Sequence, residues 1–136
     1  APDASAVLAG LRASHGTGDV YRGVLEGLAY ETRRILDACR ANADGVVVAG
    51  GLSRQPTYLQ ILSDVLDCRL LVAPCTEATL AGAALLAAGA KPGGNEGTPR
   101  YAPVPERARA YQAYYQKYMR FLSLLEEMEQ DGGAQR

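Results

Sequence analysis

The residues best suited to chemistry fall in one run, Val46-Val47-Val48-Ala49-Gly50-Gly51-Leu52-Ser53-Arg54-Gln55. A β-branched stretch that enters a diglycine and then a helix brings backbone close to a flat or anionic ligand. The glycines lack the Cβ atoms that would hold such a ligand off, and a helix start offers N–H groups without intrahelical partners. The run is not a Walker loop, because no Gly-Lys-Ser/Thr follows, and it lacks the Gly-x-Gly-x-x-Gly dinucleotide pattern. Many strand-to-helix turns use glycine only to reach positive φ. The pattern alone therefore leaves nucleotide or phosphate binding and a plain turn both open.

Other chemistry-bearing residues are better read as structure. His15 stands beside Gly16-Thr17-Gly18-Asp19, and a loop followed by an Asp19 N-cap accounts for it without a proton relay. Glu26 and Glu31 are five apart and share a helix face poorly, so solvation or pairing is expected, with Arg22 or Arg33 as partners for Glu26. Cys39, Cys68 and Cys75 have no adjacent base, form no CxxC pair and leave one unpaired. They read as small apolar residues and free thiols of a reducing compartment rather than a disulfide framework or a zinc site. Tyr111, Tyr114, Tyr115 and Tyr118 recur at three-and-four spacing and predict a packing face.

These residues need elements to position them. A short helix is expected over Ala4–Ala13, broken by His15 to Gly18. A long one follows from Asp19 to about Ala41, with Tyr21, Val24, Leu25, Leu28, Ile35, Leu36 and Cys39 as its apolar face. Asn42 to Gly45 turns the chain into Val46–Ala49, a strand whose lack of polar alternation predicts burial on both faces. Ser53 or Gln55 can cap the next helix, with Pro56 in its first turn and Leu59, Leu62, Val65 and Leu66 inward. Arg69–Val72 forms a second strand. Thr76 can cap a helix from Glu77 to Ala88, whose alanines and Gly82 permit close approach, and Gly89 suits its C-terminal cap. Lys91 to Gly97 is a loop, and residues 101–105 are extended. A final helix runs from about Glu106 to Glu129 before a disordered tail at 131–136. Strand, helix, strand, helix in this order is a crossover unit with a parallel strand pair. Two strands alone make a poor sheet, so either they have other partners or they complete a sheet of a larger molecule.

Composition narrows the classes. The chain has 136 residues, 14 basic and 15 acidic, for a net charge of -1. That argues against a basic nucleic-acid surface or an electrostatic membrane anchor. Its longest apolar stretch, Leu80 to Ala90, falls short of the roughly 18 residues of a membrane span. The first residue is alanine, which suggests a processed chain or one cut from something larger.

Four ordered blocks resemble the C-terminal part of the FGGY family of carbohydrate kinases. Tyr21-Arg22-Gly23-Val24-Leu25-Glu26-Gly27-Leu28-Ala29-Tyr30 is similar to the family's R-A-x-x-E-G-x-A-aromatic helix, with Gly23 where alanine is usual. Val46 through Val65 resembles its glycine-glycine block, with Gln60, Ile61, Asp64 and Val65 in register. Thr76 through Ala87 resembles the T-E-A-T-A-x-G-A-A-x-L-A segment. Tyr101, Pro103 and Pro105, followed by Tyr111 and Tyr115, fit the closing helix.

The resemblance implies an α/β, ribonuclease-H-like subdomain of the actin and hexokinase ATPase type, spanning 1–136 and holding the adenosine end of ATP. It implies Gly50 and Gly51 against the adenosine and α-phosphate and Gln55 at the adenine. It further implies a parent enzyme, cytoplasmic, that uses ATP with Mg²⁺ to phosphorylate a sugar such as a pentulose. The catalytic aspartate and the sugar-binding N-terminal domain lie outside this chain, so the piece alone is expected to be inactive. The alternative is an inactive binding or assembly module with the same fold, which would pair as a homodimer through sheet edges or the tyrosine helix.

Overall fold

The computed structural model describes residues 7–40, 45–75, 77–91, 93–94 and 98–133, with backbone only for 129–133. Its elements are α1 (Thr17–Ala38), β1 (Gly45–Val48), a 3₁₀ turn (Gly51–Arg54), α2 (Pro56–Leu66), β2 (Arg69–Val72), α3 (Ala78–Ala88), β3 (Arg100–Tyr101) and α4 (Pro105–Gly133). The sheet order is β1-β2-β3. Strands β1 and β2 are parallel, with Val46 opposite Leu70, and the expected strand pair is present. The short β3 adds an antiparallel edge, pairing Leu70 with Tyr101, where only extended chain was expected.

Helix α2 lies at the centre. Pro56 occupies its first turn, where a missing N–H costs nothing. Tyr58, Leu59, Ile61, Leu62 and Val65 are buried, and they meet Leu25, Ala29 and Tyr30 of α1, Leu70 of β2, and Tyr111 and Tyr115 of α4. Each such side chain contributes roughly 1.5–3 kcal/mol relative to exposure. The helix ends at Asp67 in the left-handed region (φ 52), which aspartate tolerates better than most residues.

Two polar devices fasten α4. Asp64 is only 1% exposed, and its Oδ1 accepts the Val104 N–H at 2.8 Å and the Gln60 amide at 3.0 Å. Gln60 also donates to the Ala102 carbonyl at 3.0 Å. Val104 in turn accepts the Ala108 N–H at the start of α4. The second device is the tyrosine stripe, which packs at Tyr111, Tyr115 and Tyr118 as its spacing indicated, whereas Tyr114 stays exposed. Tyr111 donates to Glu26 at 2.8 Å, Tyr115 to Asp37 at 2.9 Å and Tyr118 to Glu31 at 3.2 Å, so three hydroxyls join α4 to α1. Tyr30 packs among their rings, with centroids 5.3–6.2 Å away. Burial raises the Tyr30, Tyr111 and Tyr118 hydroxyls above the usual phenol value and holds Tyr115 up at about 12, so each remains a donor.

Several expectations are corrected. Residues 7–13 are not helical, and 1–6 lie outside the described residues. The N-cap of α1 is Gly16; Asp19 sits one turn in and accepts the Gly16 N–H at 2.9 Å, which leaves the capping role to the backbone. Helix α1 ends at Ala38 rather than Ala41. Glu77 is the N-cap position of α3, Gly89 closes that helix at φ 62, and Thr76 lies outside the described residues. Helix α4 continues through Gly133, so the expected tail carries helix at 131–133, and 134–136 lie outside the described residues. Cys68 packs against the core, whereas Cys39 and Cys75 are exposed.

The apolar faces are the larger correction. Helix α1 buries Leu25, Ala29 and Tyr30, while Tyr21, Val24, Leu28 and Ile35 stay exposed. At 100° per residue the exposed set forms a strip beside the buried one, with Tyr21 and Leu28 only about 40–60° round the helix from Leu25. Val47 of β1 is 55% exposed, because alternate residues of the strand point away from α2 and none of the described residues covers that side chain. No residue of α3 is buried, and Leu80 and Leu86 are exposed.

Replacing Asp64 with alanine strands the Val104 N–H and removes one of the two acceptors of Gln60, and is expected to cost about 2–3 kcal/mol by urea denaturation. Asp64→Asn keeps the Oδ1 acceptor and should recover more than half of that loss.

Candidate functional site

The β1-to-α2 connection builds the candidate site from backbone. Val46 and Val48 anchor β1 to the core side of the sheet. The Val48 carbonyl accepts the Ala73 N–H at 2.9 Å, which ties the strand's end to the residue after β2. The chain then turns at Gly50, whose φ of 89 and ψ of −170 are essentially restricted to glycine. Gly51 opens the 3₁₀ turn, whose last bond runs from the Gln55 N–H to the Leu52 carbonyl at 3.1 Å. Gln55 is the N-cap position of α2, and its carbonyl accepts the Leu59 N–H at 3.0 Å.

Gly50, Gly51 and Gln55 are thus brought together within one turn. A Cβ at either glycine would meet nothing within 4 Å, so the diglycine faces open space. Neither Ser53 nor Gln55 caps α2 through its side chain. The Gln55 amide stands exposed at the helix start, and Ser53 instead donates its hydroxyl to the Gly50 carbonyl at 2.6 Å. The arrangement presents a flat, side-chain-free backbone ledge with one amide side chain at its end. Such a ledge can accept a planar or phosphate-bearing group but carries no group that moves protons.

The remaining candidates resolve into structure. His15 Nδ1 accepts the Arg12 N–H at 3.1 Å in an exposed turn. Glu26 pairs with Arg22 at 2.8 Å, one of the two partners expected. Glu31 receives Arg34 and Tyr118, and the Arg34 hydrogen bonds hold its carboxyl below the usual value. Burial pushes the Cys68 thiol up, away from thiolate chemistry. Among the described residues, no three His, Cys, Asp or Glu side chains gather as a metal site, and no helix is long and apolar enough to cross a membrane.

Several grooves among the described residues lie away from the ledge, two of them notable. One, of 450 Å³, runs between α1 and α4 and is lined by Arg22, Glu26, Tyr30, Arg107, Tyr111 and Tyr114. The other, of 740 Å³, lies along the sheet at Gly45, Arg69, Leu71, Arg100 and Ala102. Sequence reasoning found the ledge through its glycines. It missed the Ser53 bond to Gly50, although a serine three residues after a turn glycine is a recognisable signal.

Comparison with known proteins places the chain in a family. Residues 1–90 match the C-terminal domain of the FGGY family of carbohydrate kinases. The chain belongs to this family. It is 33% identical over 116 residues to a ribulokinase of Mycolicibacterium smegmatis, covering 74% of this chain and 20% of that one. It is 36% identical over 95 residues to a glycerol kinase of Nocardia farcinica, covering 63% and 19%. The fold superposes on the crystal structure of a xylulose kinase from Rhodospirillum rubrum with a TM-score of 0.71 and 25% identity, over 93% of this chain and 28% of the other. The chain therefore spans about a fifth of the length of these curated relatives.

Gly50→Ala places a Cβ at φ 89 and is expected to lower stability by about 1–2 kcal/mol. Gly51→Ala, with no clash and ordinary φ, should leave the thermal midpoint within a degree or so of wild type. Differential scanning calorimetry of the two variants separates conformational need from free space.

Proposed function

We propose that the chain is the nucleotide-side portion of an ATP-dependent carbohydrate kinase of ribonuclease-H-like fold. Its parent transfers the γ-phosphate of ATP to a hydroxyl of a pentulose or related polyol. The observation that carries this reading is the diglycine ledge in a chain of this family: Gly50 and Gly51 face open space at the mouth of α2, with Gln55 beside them. In the proposal Gly50 and Gly51 lie against the adenosine and α-phosphate, and the Gln55 amide contacts the adenine. The ledge fits such a group, because a Cβ at either glycine would occupy the space the ligand needs.

The role of this chain is to bind and orient. Mg²⁺ typically reaches such sites on one or two carboxylates and the nucleotide phosphates, and the run from Gly45 to Ser63 that builds the ledge carries no carboxylate. We therefore assign Mg²⁺, the sugar and the catalytic aspartate to the parent's other parts, and the parent to the cytoplasm.

The surface supports a larger whole. The apolar strip of α1 extends well beyond the face it buries, leaving Tyr21, Val24, Leu28 and Ile35 uncovered. The same holds for α3, whose sequence Ala78-Thr79-Leu80-Ala81-Gly82-Ala83-Ala84-Leu85-Leu86-Ala87-Ala88 leaves no polar face yet buries nothing here. A parallel strand pair with one open apolar face is likewise incomplete. These surfaces also favour the second reading, an inactive assembly module that pairs as a homodimer. Light scattering at increasing concentration decides between them: a monomer throughout counts against the module.

Titration calorimetry with ADP is expected to show binding by the wild-type chain. Gly51→Val together with Gln55→Ala should abolish it, since valine fills the ledge without touching the fold. Unchanged affinity in this variant would refute the placement of the adenosine. The chain alone should release no ADP in a sugar-dependent manner, and turnover on any member of a sugar panel would overturn the assignment of catalysis to other parts of the parent.

A further inference from the structure

The peptide between Gly50 and Gly51 is the most easily reversed bond in the ledge. A diglycine peptide can flip with little steric penalty, because both flanking residues accept either sign of φ. Its direction matters to any ligand. In a planar trans peptide the C=O and N–H point opposite ways. Turning the Gly50 carbonyl inward aims the Gly51 N–H outward; a flip would present a carbonyl oxygen there instead. A phosphate meets a donor in the first case and a repelling acceptor in the second.

One side chain fixes this choice. The Gly50 carbonyl accepts the Ser53 hydroxyl at 2.6 Å and the Ser53 N–H at 3.1 Å. The two donors come from the same residue, itself held in the 3₁₀ turn that leads to Gln55. The hydroxyl is half-buried, so water competes for the carbonyl less than at a free loop. The backbone bond alone is a single contact across a short turn; the hydroxyl makes it a clamp.

We propose that Ser53 is a positioning residue for the nucleotide ledge, holding the Gly50–Gly51 peptide with its N–H toward the α-phosphate. This rests on the nucleotide reading above and adds the residue that sets its geometry. Ser53 touches no reacting atom; it acts through the direction of one peptide. A threonine would preserve the clamp and an alanine would lose it.

The test compares the wild-type chain with Ser53→Ala and Ser53→Thr by two measurements. Without ligand, amide hydrogen exchange at Ser53 and Gln55 should quicken about fivefold in the alanine variant and return in threonine, while Leu59 and Val65 stay as in wild type. With ADP, the dissociation constant should rise about five- to tenfold in alanine and recover in threonine. Unchanged exchange in Ser53→Ala overturns the clamp. Normal ADP affinity in Ser53→Ala, or weakened affinity that threonine fails to rescue, overturns its positioning role. A wild-type chain that shows the exchange effect but binds no ADP overturns the nucleotide reading itself, a result distinct from either.

Discussion

Helix α2 has seven of its eleven residues out of water, and each neighbour is placed by what it must cover. Tyr58, Leu59, Ile61, Leu62 and Val65 point in more than one direction, so no single surface can bury them. Helix α1 takes one side, α4 another, and β2 and β3 close the base. Because α2 is this deeply set, its polar residues must find partners within the protein. Ser63 donates to the Cys68 carbonyl at 2.8 Å, and Asp64 accepts from Gln60 and Val104. These are also the bonds that turn the chain into β2 and start α4. The burial of one helix thus dictates where the next two elements begin.

The same constraint makes the candidate site possible. Its glycines sit on the strand-to-helix turn immediately before α2, whose remaining turns cannot shift without opening the core. A ledge made only of backbone has no side chains to stiffen it. Its rigidity comes from the buried helix on one side and the β1–β2 pairing on the other. Within that frame the local conformation at Gly50 is set by a positive φ and a serine hydroxyl. The geometry of the candidate ledge is a property of the fold's core expressed at its edge.

Much of this was legible because it is local. The order of strand, diglycine, helix, strand and helix follows from β-branched runs, glycine and proline punctuation, and apolar spacing within about ten residues. The candidate residues Gly50, Gly51 and Gln55 needed only that local reading and the family likeness to be found. The third strand was harder to see, since Arg100–Tyr101 is two residues long and gains its identity from Leu70 and Leu71. The role of Asp64 was hidden for the same reason: its partner Val104 lies forty residues away in sequence. The tyrosine hydroxyls were visible as a stripe, but which carboxylates they meet depends on how α4 lies along α1.

The misread faces are the most informative difference. The spacing of Tyr21, Val24, Leu28 and Ile35 is as regular as that of any buried stripe, yet these side chains face solvent in this chain. Nor is the pattern a local accident, because Val47 on the sheet and Leu80 and Leu86 on α3 repeat it on other elements. A stripe of this kind reduces solubility and gains nothing for a free-standing domain. Apolar periodicity records the surroundings in which a sequence was shaped, and the fold of a part shows which of those surroundings the part itself supplies. Here the described residues supply cover for α2 and leave one face each of α1, α3 and the sheet without it. The family relatives are between three and four times the length of this chain, which is ample polypeptide to bury all three. Under the proposed function, the uncovered stripes and a ledge without an acid or base would share one cause, since both the cover and the proton-transfer groups would be supplied by other parts of a longer parent.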